Sequence, residues 1–222
     1  MRSSIVTIAV LLLVAAVTGA AADFVVEDWK ATVGATGIPA GWQSQNWGSP
    51  KYDFKVEEHD GRPALHMKSD NEGSTISRDV KGKVSLNDTP VLEWTWKVVA
   101  LPKNGNSCKK ATDDQAAQLF VVWPRFPEAV RSRIIGYVWD TTAPVGTIAK
   151  SEKTSTVTYV VLRTGTAELG KWVTERRNVA EDFRKIYGEE PESPSGVSIS
   201  IDSNDTNSAA ESFIGPVFFK KP

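Results

Sequence analysis

The chain has one cysteine in 222 residues, Cys108, so no disulfide can form within it. Its position also rules out a lipoprotein anchor at a mature N-terminus. It has two histidines, His59 and His66, and neither has a second ligand at metal spacing, so a zinc site is not supported. Neither histidine stands in a recognisable nucleophile context, so Cys108 reads as a loop thiol. Lys109 and Lys110 beside it could lower its pKa and make it reactive without any purpose. Charge of one sign is also missing: 26 Lys and Arg face 27 Asp and Glu, with no basic block that could track a phosphate backbone. Nucleic acid is therefore not an expected partner. There is no internal repeat and no low-complexity linker.

Only one long apolar run is present, and it lies at the start. Arg2 gives a positive beginning, Ile5 to Val17 is almost unbroken apolar chain, and Ala20-Ala21-Ala22 offers the small residues a signal peptidase needs. Residues 1–22 read as a signal peptide, and the mature chain, 23–222, as one exported domain that is periplasmic or secreted. With Arg2 removed, 25 basic residues oppose 27 acidic ones. Nothing later could cross a membrane, so no stable insertion is expected after cleavage, and a monomer is expected.

What the mature chain has in quantity is short alternating segments. In Leu92-Glu93-Trp94-Thr95-Trp96-Lys97-Val98, alternation puts Leu92, Trp94, Trp96 and Val98 on one face of a strand. Such a wall must be covered by a second sheet or left open for a flat ligand. Phe24 to Val26 reads as an edge strand and Gly34 to Pro50 as a loop carrying Trp42 and Trp47. Phe54 and Val56 then pair in a hairpin with Leu65 and Met67 across the turn at 59–63. Ala116 to Trp123 is apolar on both faces apart from Gln118, which predicts a central strand covered on each side. Ile134 to Trp139, Thr156 to Leu162, Val197 to Ile201 and Phe213 to Phe219 continue the rhythm, the last expected beside the N-terminal strand. The sum is an all-β sandwich or barrel. One short helix, about 179–187, stands out: Asn178 caps it, Glu181 returns the bond, and Gly188 ends it.

Three features could carry chemistry. Asp113-Asp114 are adjacent carboxylates that need water, a cation or an arginine beside them. Arg176 and Arg177 point to opposite faces of a strand, so one must turn inward, and Asp182 is a candidate partner. Asp202-Ser203-Asn204-Asp205-Thr206 offers oxygens at alternate positions. That pattern suits calcium or an Asx-turn, but the run lacks the glycine and distal glutamate of an EF-hand loop. Finally, eight tryptophans exceed what a core of this size needs. Trp123 and Trp139, at strand ends, are the candidate platforms for a sugar ring.

Taken together, these blocks resemble a family of exported bacterial proteins known as a domain of unknown function. The resemblance rests on Pro90 through Val98 with Leu101-Pro102, Asp113-Asp114 before Ala116-Ala117, Tyr137-Val138-Trp139, and Trp172 with Glu175-Arg176-Arg177. Asp182-Phe183 before Gly188 and Asp202 through Thr206 complete it. Two positions depart from the family pattern: Gln118 stands where an arginine is favoured, and Asp-x-Asp-Asn-Thr is here Asp-x-Asn-Asp-Thr. The resemblance implies a single-domain, jelly-roll-like β-sandwich and no established activity.

Three function classes follow. The first is an exported protein that binds a glycan or other small polar ligand without altering it, using Asp113, Asp114, Arg176, Asp182, Asp202 and Asp205 gathered around Trp139, with no cofactor unless calcium sits at 202–206. The second is a polysaccharide lyase or glycosidase on the same scaffold, with Asp114 and Asp202 as its acid pair. The third is a structural envelope protein with no ligand, in which the charges only hold the fold.

Overall fold

The computed structural model describes residues 22–222. The expected signal peptide falls on residues 1–21 and the first described residue, and so lies outside what the structure describes. In chain order the first strands are β1 (Phe24–Glu27), β2 (Gln43–Ser44), β3 (Asp53–His59), β4 (Arg62–Asp70), β5 (Gly73–Asp79) and β6 (Val91–Ala100). Then come β7 (Ala117–Trp123), α1 (Glu128–Arg131), β8 (Arg133–Asp140), β9 (Ile148–Lys150) and β10 (Val157–Thr164). β11 (Val173–Asn178), α2 (Val179–Tyr187), β12 (Gly196–Asp202) and β13 (Ala209–Lys220) complete the order.

They form an all-β sandwich of two sheets. The six-stranded sheet runs β11-β6-β13-β4-β3, with β1 also on β13, and the seven-stranded sheet runs β2-β5-β12-β7-β8-β10-β9. The chain passes from one sheet to the other at β1 to β2, β2 to β3, β4 to β5, β5 to β6, β6 to β7, β10 to β11, β11 to β12 and β12 to β13, the weave of a jelly-roll-like fold. All ladders are antiparallel except β8 with β10. β1 pairs β13, as the sequence pattern led us to expect.

The tryptophan wall of β6 is covered. Leu92, Trp94, Trp96 and Val98 are fully buried, and the indoles meet Tyr137 (5.4 Å between ring centroids) and Trp139 (6.0 Å) from the facing sheet. A side chain of that size removes enough apolar area from water to dominate the local energetics. On the opposite face of the six-stranded sheet the two histidines stack on Phe213 from either side, at 3.9 and 4.0 Å.

β7 departs from expectation. Ala117, Leu119, Val121 and Trp123 face the core, but Gln118, Phe120 and Val122 line an open cleft. Among the described residues no second layer seals that face, because α2 packs elsewhere: its Phe183 meets Trp123 (4.7 Å) and its Asp182 meets Tyr137, both side chains of the core.

Candidate functional site: a cleft on the seven-stranded sheet

The cleft crosses the outer face of the seven-stranded sheet and has a volume of about 780 Å³, within the range of small-ligand sites. Strand alternation supplies its floor. With Val197, Ile199 and Ile201 turned into the core, Ser198, Ser200 and Asp202 of β12 must point out. Ser200 shares a hydrogen bond with Thr75 of β5 (2.9 Å) and Ser198 with Ser77 (2.8 Å), giving a strip of hydroxyls.

Beside that strip lies an apolar one, made by Phe120 and Val122 of β7, Ile134 of β8, and Val157 and Tyr159 of β10. Gly136 explains how the two rings share it. A Cβ there would lie 2.6 Å from Phe120 Cε1 and 3.0 Å from Tyr159 Cδ1, so only glycine lets them lean together across β8, 6.3 Å apart. At the rim stands Trp47, 60% exposed. Its loop is tied down by Gln45, whose Nε2 donates to Trp47 O (2.8 Å) and Gly73 O (3.3 Å) while its Oε1 accepts from Thr75 N–H (2.6 Å).

One end of the cleft is acidic. Asp113 accepts from Gln115 Nε2 (3.0 Å) and more distantly from Tyr159 (3.4 Å) and Ser151 (3.5 Å). Burial pushes its pKa up to about 6 against the Gln115 hydrogen bond. Asp202 is pushed up to about 8, first by burial and then by the charge of Asp114. Burial works against the Lys153 charge, but its ion pair with Asp205 prevails and raises its pKa.

Asp113, Asp114, Asp202 and Asp205 thus come together, though in different roles. Asp113 and Asp202 line the cleft. Asp114 is sealed behind it, where Asp205 N–H (3.1 Å), Thr206 N–H (2.6 Å) and Thr206 Oγ1 (2.6 Å) donate to its carboxylate. A carboxylate so occupied holds a loop in place, so the expected acid pair of Asp114 with Asp202 is corrected. Asp202 Oδ1 accepts from Asn204 N–H at 3.3 Å, the Asx-turn arrangement. Among the described residues no three His, Cys, Asp or Glu side chains converge as a metal site.

The remaining candidates lie elsewhere. Arg176, on the outer face of β11, pairs with Glu93 (3.1 Å) across the six-stranded sheet. Asp182 is buried at the side of the core, where Tyr137 donates to it (2.8 Å) and Arg177 Nε pairs with it (2.9 Å). Trp139 is no platform, because it is 1% exposed and packs on Trp96 in the core. Trp123 is buried as well. Cys108 is also corrected: burial pushes its thiol pKa up, with Asp140, Asp113 and Glu152 adding to the rise, and the neighbouring lysines do not reverse it.

Sequence reasoning missed Trp47, Phe120, Tyr159 and Lys153. One signal was present, since a strand apolar on both faces needs either two covers or one cover and a ligand.

Residues 40–218 match the family described as "Protein of unknown function (DUF3047)". The chain belongs to that family. The DUF3047 match takes in every residue lining the cleft, from Gln45 to Asn204, and leaves out β1. In this DUF3047 chain Gln118 lies in the cleft floor, and Lys153 supplies a cation near Asp113. No curated protein matches the chain significantly. Among solved structures it is similar to the CBM22-1 xylan-binding domain from Paenibacillus barcinonensis Xyn10C, at 16% identity and a TM-score of 0.41, covering 91% of this chain and 97% of that one. It is also similar to CBM28, a module specific for non-crystalline cellulose, at 13% identity and a TM-score of 0.43, covering 90% and 98%. Similarity at this level fixes neither ligand nor reaction. Among the described residues no helix is long and apolar enough to cross a membrane.

Proposed function

We propose that the protein is an exported, one-domain binding protein, periplasmic or secreted, that holds a glycan in this cleft without altering it. The observation that carries the reading is the divided floor. A row of hydroxyls on β5 and β12 runs beside an apolar row on β7, β8 and β10, and an exposed indole stands at the rim. A sugar ring has the complementary division, an apolar C–H face and a rim of hydroxyl donors and acceptors.

Titration with a panel of soluble neutral and charged oligosaccharides, followed by tryptophan emission, tests this. Trp47 is the most exposed tryptophan, so binding should shift the emission. Trp47→Ala should weaken binding about tenfold, which corresponds to about 1.4 kcal/mol. If no oligosaccharide changes the spectrum, and none moves the backbone resonances of β7 and β12, the reading is wrong.

A catalytic reading draws on one observation, that Asp113 is held at about 6, near the pH at which it would exchange protons. Product release from a polysaccharide by the wild type, but not by Asp113→Asn, would replace binding with turnover.

A further inference from the structure

The acid end of the cleft has an unusual balance. Glu72, Asp113 and Asp202 line it against one cation, Lys153, whose charge is already taken by Asp205. Their oxygens are under-supplied with donors. Glu72 is 5% exposed, its Oε2 accepts from Lys51 N–H (3.1 Å) and Ser74 (2.6 Å), and among the described residues its buried Oε1 has no partner. Asp113 Oδ2 has only the two long contacts, and among the described residues the Asp202 carboxylate accepts one hydrogen bond, from Asn204.

Once ionised, these carboxylates can only accept, and a buried acceptor without a donor is costly. The missing complement is therefore a compact cation with several donors. A metal ion is a poor fit, because among the described residues no group of three His, Cys, Asp or Glu side chains is placed to hold one. Uronic or sulfated sugars would add repulsion to a site that lacks a free base. A hydroxyl supplies a donor but no charge.

We infer that the sugar seated at this end carries a free ammonium group, so that the ligand class is a glycan containing unacetylated amino sugars. The inference rests on the glycan reading above. An ammonium has three donors for these acceptors and offsets the charge that burial penalises. The groups facing it are Glu72, Asp113, Asp202, Tyr159 and the Lys153–Asp205 pair, with Asp114 behind. Because burial holds Asp113 and Asp202 partly protonated near neutrality, binding an ammonium should expel a proton from the pair.

Calorimetry with three hexasaccharides, of glucosamine, of N-acetylglucosamine and of glucose (cellohexaose), tests the inference. At pH 7 the glucosamine hexamer should bind at least tenfold tighter than the other two. Its affinity should fall between pH 6 and pH 4, where the amine stays an ammonium while Asp113 takes up its proton. The double variant Asp113→Asn, Asp202→Asn should reduce it to the level of cellohexaose. Equal or tighter binding of the neutral hexamers would overturn the inference and leave the glycan reading standing. Binding of calcium chloride or spermidine as tightly as the glucosamine hexamer would also overturn it, since the site would then recognise a cation rather than a sugar. Failure of all three hexamers would strike the glycan reading itself.

Discussion

Asp182 shows how a charge can be functional in appearance and structural in position. It is almost fully buried and is held by Arg177 and Tyr137, and burial and the Asp182 charge push the Tyr137 hydroxyl well above its ordinary pKa. Removing Arg177 would leave the carboxylate buried without a counter-charge, so Arg177→Ala should destabilise the protein by about 3 kcal/mol in urea unfolding. Ligand affinity should not change, because none of the three lines the cleft. Gly136 is the reverse case, a residue without chemistry that shapes the site. Gly136→Ala forces a Cβ into Phe120, and overpacking of this kind costs about 1–3 kcal/mol. It should weaken oligosaccharide binding as well, since the Phe120 ring forms part of the floor. With its thiol pKa raised, Cys108 should be alkylated by iodoacetamide at pH 7 more slowly than a free cysteine, and unfolding in urea should remove the difference.

At the scale of the element, α2 was legible in full because its signals are local. Asn178 Oδ1 accepts from Glu181 N–H (3.2 Å), Asn178 Nδ2 donates back to Glu181 Oε1 (2.8 Å), and Gly188 ends the helix at φ 69°. Asn178→Ala should lower stability by about 1 kcal/mol, measured by chemical denaturation, without affecting the cleft. β7 was legible in its limits but not in its surroundings. Its two apolar faces announce a strand between two things, and nothing local says that the second is solvent and a guest. The same holds for Trp139, whose place near a strand end gave no sign that the facing sheet would cover it. Trp47, in a loop punctuated by glycine and proline, was the one left uncovered.

For the whole molecule, the acid end of the cleft should appear in the dependence of stability on pH. Asp113 at about 6 and Asp202 at about 8 lie above the ordinary carboxylate value of 3.8, so between those limits the folded protein binds more protons than the unfolded chain. Stability therefore falls as pH rises from about 4 to about 8. Glu57, lowered chiefly by its hydrogen bond with Lys55, acts in the opposite sense but only below about pH 4.5. The melting temperature should drop between pH 5 and pH 8, and Asp202→Asn should flatten that slope and melt higher than the wild type at pH 8. An unchanged slope in the variant would remove Asp202 as its source.

By itself the sequence determined most of the long strands, the capped helix and the inward-turned arginine, because each depends on neighbours within a few residues of one another, though not the short β2, β9 and α1. It also singled out Asp113, Asp114, Asp202 and Asp205, which the fold brings together, along with Asp182, which it sets apart in the core. Only the tertiary structure decided which faces are covered. A period of two states that the sides of a strand differ or agree, but what lies above a side is set by contacts between residues a hundred or more positions apart, such as Thr75 with Ser200 or Asp114 with Thr206. That is why the indoles of the strands became core, and why the open face of β7 became the floor of a cleft.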